Sequence, residues 1–153
     1  RVIKPGGHII VTLPDEDLYE QGVFPSTFNK DHKNTFSINK KNSWSPKSVN
    51  VLNLISSLGD MADLKKIELI DYTYRYSLPR YDHTLTPVGE SAIEFIIRKR
   101  FPEELETKSL LRTKEQPDHE IKVHLNQYTD DMKNMKESNQ SGPPFTNSKD
   151  INN

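Results

Sequence analysis

The residues best suited to chemistry lie in the first third of this 153-residue chain. Asp15, Glu16 and Asp17 follow directly on an apolar stretch, and a carboxylate placed there can orient a ligand hydroxyl or take its proton. The competing reading of Asp15 is a cap on a short helix over 16–21, with acidic residues favoured by the helix dipole. Asp31 and His32 form the acid–base pair of the sequence. Imidazole exchanges protons near neutral pH, and an adjacent carboxylate can hold its tautomer. A surface histidine in a polar loop is the alternative. Tyr19, Phe24, Phe28 and Trp44 supply aromatic rings that can wall a pocket or seal the loop onto the core. His83, in Tyr81-Asp82-His83-Thr84, is a further candidate substrate contact. A metal site from Asp15, Asp17 and His32 is conceivable, but their spacing carries no ligand signature, and no metal is assigned.

These residues need elements to position them. Pro5-Gly6-Gly7 is a turn signal, since Pro fixes φ and Gly supplies positive φ without a Cβ clash. The β-branched run His8–Leu13 then predicts a strand buried on both faces of a parallel sheet. Asp15–Asp17 thus sit at its carboxyl end, outside which ligands bind in open α/β sheets. Residues 15–42 are polar but carry several aromatics, the pattern of a lid or binding loop. Ser45 as N-cap and Pro46 as first residue predict a helix over 46–58, stopped by Gly59.

Alternation over 66–76 predicts a second strand, with Tyr72, Tyr74 and Tyr76 packing on one face. Residues 91–100 predict a third, ending in a solvated Arg98-Lys99-Arg100 terminus. A loop without a helix joins these two strands, so they are expected to be antiparallel neighbours. Residues 103–114 suit a helix, 121–125 a short or extended strand, and the chain from Gln127 has the composition of disorder.

Composition sets limits. Only 33% of residues are hydrophobic and 28% are charged. Two of the twelve Phe and Tyr residues fall in 102–153, so 1–101 is expected to hold the folded α/β domain and 102–153 a polar, partly helical tail. A net charge of −1 gives no electrostatic case for nucleic acid. The absence of cysteine removes disulfides and thiol chemistry and fits a cytoplasmic protein. No run approaches the roughly 18 apolar residues of a membrane span. The chain opens on Arg1 as though inside an α/β unit, with Arg1-Val2-Ile3 closing a helix, and is expected to be a segment of a longer domain.

Arg1-Val2-Ile3-Lys4-Pro5-Gly6-Gly7-His8-Ile9-Ile10-Val11 resembles the turn into the fifth strand of class I S-adenosylmethionine-dependent methyltransferases. Asp15–Gly22, Asp31-His32-Lys33, Ser43-Trp44-Ser45-Pro46 and Glu90–Phe95 resemble one bacterial subgroup of such domains. The resemblance covers 1–101. It implies the C-terminal part of a Rossmann-like sheet, with a sixth strand and an antiparallel seventh to follow. It implies methyl transfer to a small molecule, in the subgroup a sugar or glycan precursor, with acceptor-binding groups in the 15–42 loop.

The family binds its methyl donor through a Gly-rich loop after the first strand and an acidic residue ending the second. The glycines here stand at 6, 7, 22, 59, 89 and 142, and none forms a Gly-x-Gly after a strand. No donor-binding residue is therefore assigned, and the chain supplies the acceptor side. Two other readings compete. One is half of a Rossmann-type dehydrogenase or epimerase, which an all-parallel sheet would favour. The other is a catalytically incompetent fragment or partner-binding module.

Overall fold

The computed structural model describes residues 3–77, 91–106 and 117–126. Several expectations lie outside these: the helix end at 1–2, His83 and its loop, the second half of the 103–114 helix, and the chain from 127 onward.

The Pro-Gly-Gly turn opens the first strand as its residues dictate. Gly6 has φ 80°, in the left-handed region. At Gly7 a Cβ would come within 2.9 Å of the Lys4 carbonyl oxygen, so only glycine fits without a shift. Strand β1 then runs His8–Pro14. The second and third predicted strands are β4, Ala62–Ile70, and β5, Ala92–Lys99. The sheet order is β1-β5-β4, and β5 is antiparallel to both neighbours. β1 and β4 consequently run parallel to each other with β5 between them. This is a mixed α/β unit built on a three-stranded antiparallel sheet, and the expected antiparallel pairing of the last two strands holds.

Burial on both faces of a parallel sheet does not hold for β1. Its described partner is antiparallel, and its residues are half-buried apart from the exposed Thr12. A continuous β-branched run marks a strand but carries no information on the direction of its partner. The fully covered strand is β5, where Ile93 and Ile96 have no exposed surface. Burying each such side chain contributes about 2 kcal/mol.

One sheet face is covered by helix α1, Val51–Ser56, whose Val51 and Ile55 pack with Ile93, Phe95 and Ile97. This helix is shorter than the expected 46–58. Residues 48–50 are taken by strand β3, Ser48–Asn50, which pairs in parallel with β2, Thr35–Ser37. The N-cap is Asn50, whose side chain accepts from the Asn53 N–H at 2.9 Å. Ser45 instead turns the chain before β3, its hydroxyl accepting from the Lys47 N–H.

Strand β4 starts earlier and stops earlier than expected. Past Ile70 the chain turns, with the Tyr74 N–H donating to the Asp71 carbonyl, so Tyr72, Tyr74 and Tyr76 lie beyond the sheet. Nor is Arg98 a solvated strand end. It is 6% exposed, and its guanidinium meets Glu104 at 2.7 Å and Asp63 at 3.4 Å. Glu104 belongs to helix α2, Pro102–Glu106. Burial would lower the Arg98 pKa, and the bonds and charges of Glu104 and Asp63 raise it above its ordinary value.

Residues 1–115 and 116–153 form separate units. In the second, residues 119–124 are the helix α3, His119–His124, rather than extended. Ile121 and Val123 favour a strand locally, but Lys122 N–H donates to the Asp118 carbonyl and closes a helical turn. Among the described residues no helix is long and apolar enough to cross a membrane.

Candidate functional site

The start of the loop following β1 is joined to strand β2 by an isolated bridge between Asp15 and Phe36, with the Glu16 N–H donating to the Phe36 carbonyl at 2.8 Å. The Asp15 side chain caps the turn that follows. Its Oδ1 accepts from the Asp17 and Leu18 N–H groups at 2.9 and 3.0 Å. Burial pushes the Asp15 carboxyl above its ordinary range, against the pull of those two amides. Asp15 is thus occupied in backbone capping, although as part of a turn rather than the helix expected over 16–21.

Glu16 has no exposed surface. Its Oε2 accepts from Ser48 Oγ at 2.6 Å and Thr35 Oγ1 at 3.0 Å. Its Oε1 accepts from Ser43 Oγ at 2.8 Å and Lys40 Nζ at 3.1 Å. Burial alone would raise its pKa, but the bonds from Ser48, Ser43, Lys40 and Thr35 together hold it below the usual carboxylate value. One carboxylate thereby gathers β2, β3 and the segment between them.

Asp17 points elsewhere. It meets Lys40 Nζ at 2.5 Å and accepts from the Trp44 indole N–H at 3.1 Å. Burial would lower the Lys40 pKa, and its bonds to Asp17 and Glu16 raise it. Asp17 and Trp44 line a cleft of about 410 Å³ together with Gln21, Tyr74 and Tyr76. The Tyr74 hydroxyl donates to the Leu18 carbonyl at 3.3 Å, which pins the 71–77 turn over the loop. The Tyr76 hydroxyl donates to Asp71 Oδ2 at 2.5 Å, and this bond, with burial adding to it, pushes the phenol up to about 12. With Arg75 also in its lining, the cleft combines one carboxylate, one guanidinium, an amide and three aromatic rings.

His32 does not line this cleft. Its Nδ1 lies 2.6 Å from Oε1 of Glu20, which has no exposed surface. The imidazole packs on Tyr19 at 5.2 Å between ring centroids, and Tyr19 in turn meets Phe28 edge-on at 5.9 Å. The expected partner, Asp31, is exposed, and its own N–H donates to Asn29 Oδ1. Adjacent side chains on a loop diverge, so the carboxylate on His32 comes from twelve residues upstream. Glu20 was not singled out by sequence reasoning. The available signal was its place directly after Leu18 and Tyr19, two large side chains that take the backbone inside with them.

Of the sequence-derived candidates, the structure gathers Asp17 with Trp44 in the cleft, and His32 with Tyr19 beside Glu20. Phe24 is half-buried and contributes to neither group, preceding Pro25 through a cis peptide bond. His83 lies outside the described residues. Among the described residues no group of three or more His, Asp or Glu side chains is placed to hold a metal ion, and Asp15, Asp17 and His32 are not brought together as one. No family model, curated protein or solved structure matches the chain.

Proposed function

We propose that residues 3–106 form the acceptor side of an S-adenosylmethionine-dependent methyltransferase domain acting on a small molecule. The observation that carries this reading is the strand order. The resemblance of the Lys-Pro-Gly-Gly turn implies an antiparallel last strand inserted beside the strand that follows the turn. Strand β5 lies antiparallel between β1 and β4. A dehydrogenase half would favour an all-parallel arrangement instead.

The donor does not fit the residues present. No Gly-x-Gly follows a strand here, and no acidic strand end accompanies one, so none of these side chains is given a role towards S-adenosylmethionine. What this chain contributes is reception of the acceptor. Asp17, at the carboxyl end of β1, can accept a hydrogen bond from an acceptor hydroxyl, while Trp44 and Tyr74 wall the cleft. Holding the acceptor in one orientation is the largest service such a site can render to a displacement reaction.

The test begins with the coding sequence upstream of Arg1. We expect a strand, a Gly-rich loop and an acidic residue about 20 positions further on. The product carrying that segment is expected to bind S-adenosylhomocysteine saturably in a calorimetric titration. An in-frame start beside Arg1, or a longer product that binds no S-adenosylhomocysteine, overturns the reading.

A further inference from the structure

We propose that Glu20 and His32 act as a proton-accepting dyad for an acceptor hydroxyl that lies outside the Asp17–Trp44 cleft, at the exposed part of the His32 side chain, with His32 Nε2 as the atom that takes the proton and Glu20 as the residue that positions it. This rests on the methyl-transfer reading for the identity of the reaction, but the geometry is independent of it. A carboxylate oxygen 2.6 Å from Nδ1 accepts, so Nδ1 carries a hydrogen and the lone pair of the neutral ring is left on Nε2. Nε2 has no hydrogen-bond partner among the described residues, and a fifth of the His32 side chain remains exposed. The ring is oriented twice, by Glu20 at Nδ1 and by the Tyr19 ring, tilted at 41° with 5.2 Å between centroids.

The state of Glu20 is the second observation. Its carboxylate is fully buried, yet Oε2 has no hydrogen-bond partner among the described residues. Burying a carboxylate is costly unless its oxygens are satisfied. Glu16, four residues earlier, meets that requirement with four donors. Among the described residues the Glu20 carboxylate meets His32 alone and is therefore available to an imidazolium. In the proposed step the acceptor O–H bond breaks, an Nε2–H bond forms, and the oxygen keeps the electron pair as the nucleophile. The positive charge gained by the ring faces Glu20 Oε1.

Two measurements separate this proposal from the methyl-transfer reading. In ¹⁵N-edited NMR of the full chain, with His32 assigned by its loss in His32→Gln, wild-type His32 is expected as the Nδ1–H tautomer. Glu20→Gln is expected to remove that preference. An Nε2–H tautomer in the wild type overturns the dyad, whatever reaction the protein catalyses. In the longer, donor-binding product, Glu20→Gln and His32→Gln are each expected to lower kcat about 100-fold with the donor KM unchanged. Rates within threefold of wild type, with donor binding intact, overturn the base role and leave the methyl-transfer reading standing. If Glu20→Gln fails to fold, the wild-type tautomer and the His32→Gln rates still decide.

Discussion

Glu16 and Glu20 stand four residues apart in one loop, and neither has any exposed surface. Glu16 spends both oxygens on four donors drawn from residues 35–48. Glu20 has one bond, to His32, and one buried oxygen without a partner among the described residues. The difference teaches how burial divides a carboxylate's possible uses. A fully satisfied one is a structural fastening, because protonating or removing it strands several donors at once. A half-satisfied one keeps its charge available to a single neighbour.

The comparison predicts an ordering of effects. The largest is the stability loss in Glu16→Gln, about 3 kcal/mol, since an amide cannot accept at both former oxygen positions and buried hydroxyls lose their acceptor. Glu20→Gln is expected to cost about 1 kcal/mol, one charge-assisted bond. Denaturant melts of the full chain measure both. Equal losses would break the distinction between the two residues.

The acid limb of stability comes next. A carboxyl held below its ordinary pKa contributes stability that is present above the unfolded value and lost as pH falls through the folded one. For Glu16 the loss therefore sets in as pH drops below the ordinary value of 4.5. Asp15 works in the opposite direction. Its raised pKa makes burial of the charged form a cost, and that cost is relieved as pH falls towards 3.8. Glu16→Gln is expected to flatten the decline of melting temperature with acid, and Asp15→Asn to steepen it. Melting curves between about pH 3 and 7 show either slope directly.

The smallest effect sharpens the account of Glu16. Lys40→Met removes the only cation on Glu16 among the described residues and leaves its three hydroxyl donors. The Lys40 side chain is 32% exposed, so the expected loss is about 1 kcal/mol, and smaller in high salt for the wild type as well. The same substitution releases Asp17, and the fluorescence of Trp44, the single tryptophan, is expected to change with it. A loss as large as that of Glu16→Gln would mean that charge, rather than hydrogen-bond count, fastens the loop.

Much of the sheet was legible because its signals are local. Pro5-Gly6-Gly7, the β-branched run after it and the polar stop at Asp15 each act within a few residues. Where reading failed, a distant partner had overruled a good local signal. Ser45-Pro46 has every mark of a helix start, yet β2 claims Ser48–Asn50 as a strand, and the cap passes to Asn50. The alternating tyrosines continue a strand pattern past Ile70, but β5 ends its register with Ile70 opposite Ala92. Arg98 looked like a charged terminus because Asp63 and Glu104, which enclose it, are separated from it in sequence. The site was half legible for the same reason. The aromatic loop announced itself, and His32 stood out by type. The choice of Glu20 over the adjacent Asp31 depends on the path of eleven intervening residues, which no spacing rule encodes.

The order β1-β5-β4 also bears on how the molecule comes to exist. The strand at the centre is the last of the three to be synthesised, and every pair in the sheet, such as Val11 with Phe95, waits for it. Until residues 92–99 emerge, β1 and β4 have no described strand to join, and each presents an open edge to other chains. Sheet formation here is consequently a late, all-at-once event dominated by distant pairings, which makes folding slow relative to a helical unit of similar length. The 15–42 loop, which leaves the end of β1 and is bridged there through Asp15 and Phe36, inherits that schedule. A nascent chain stopped short of β5 already contains the partners in the Glu16 and Glu20 bonds of the loop, but not the sheet on which the loop is seated.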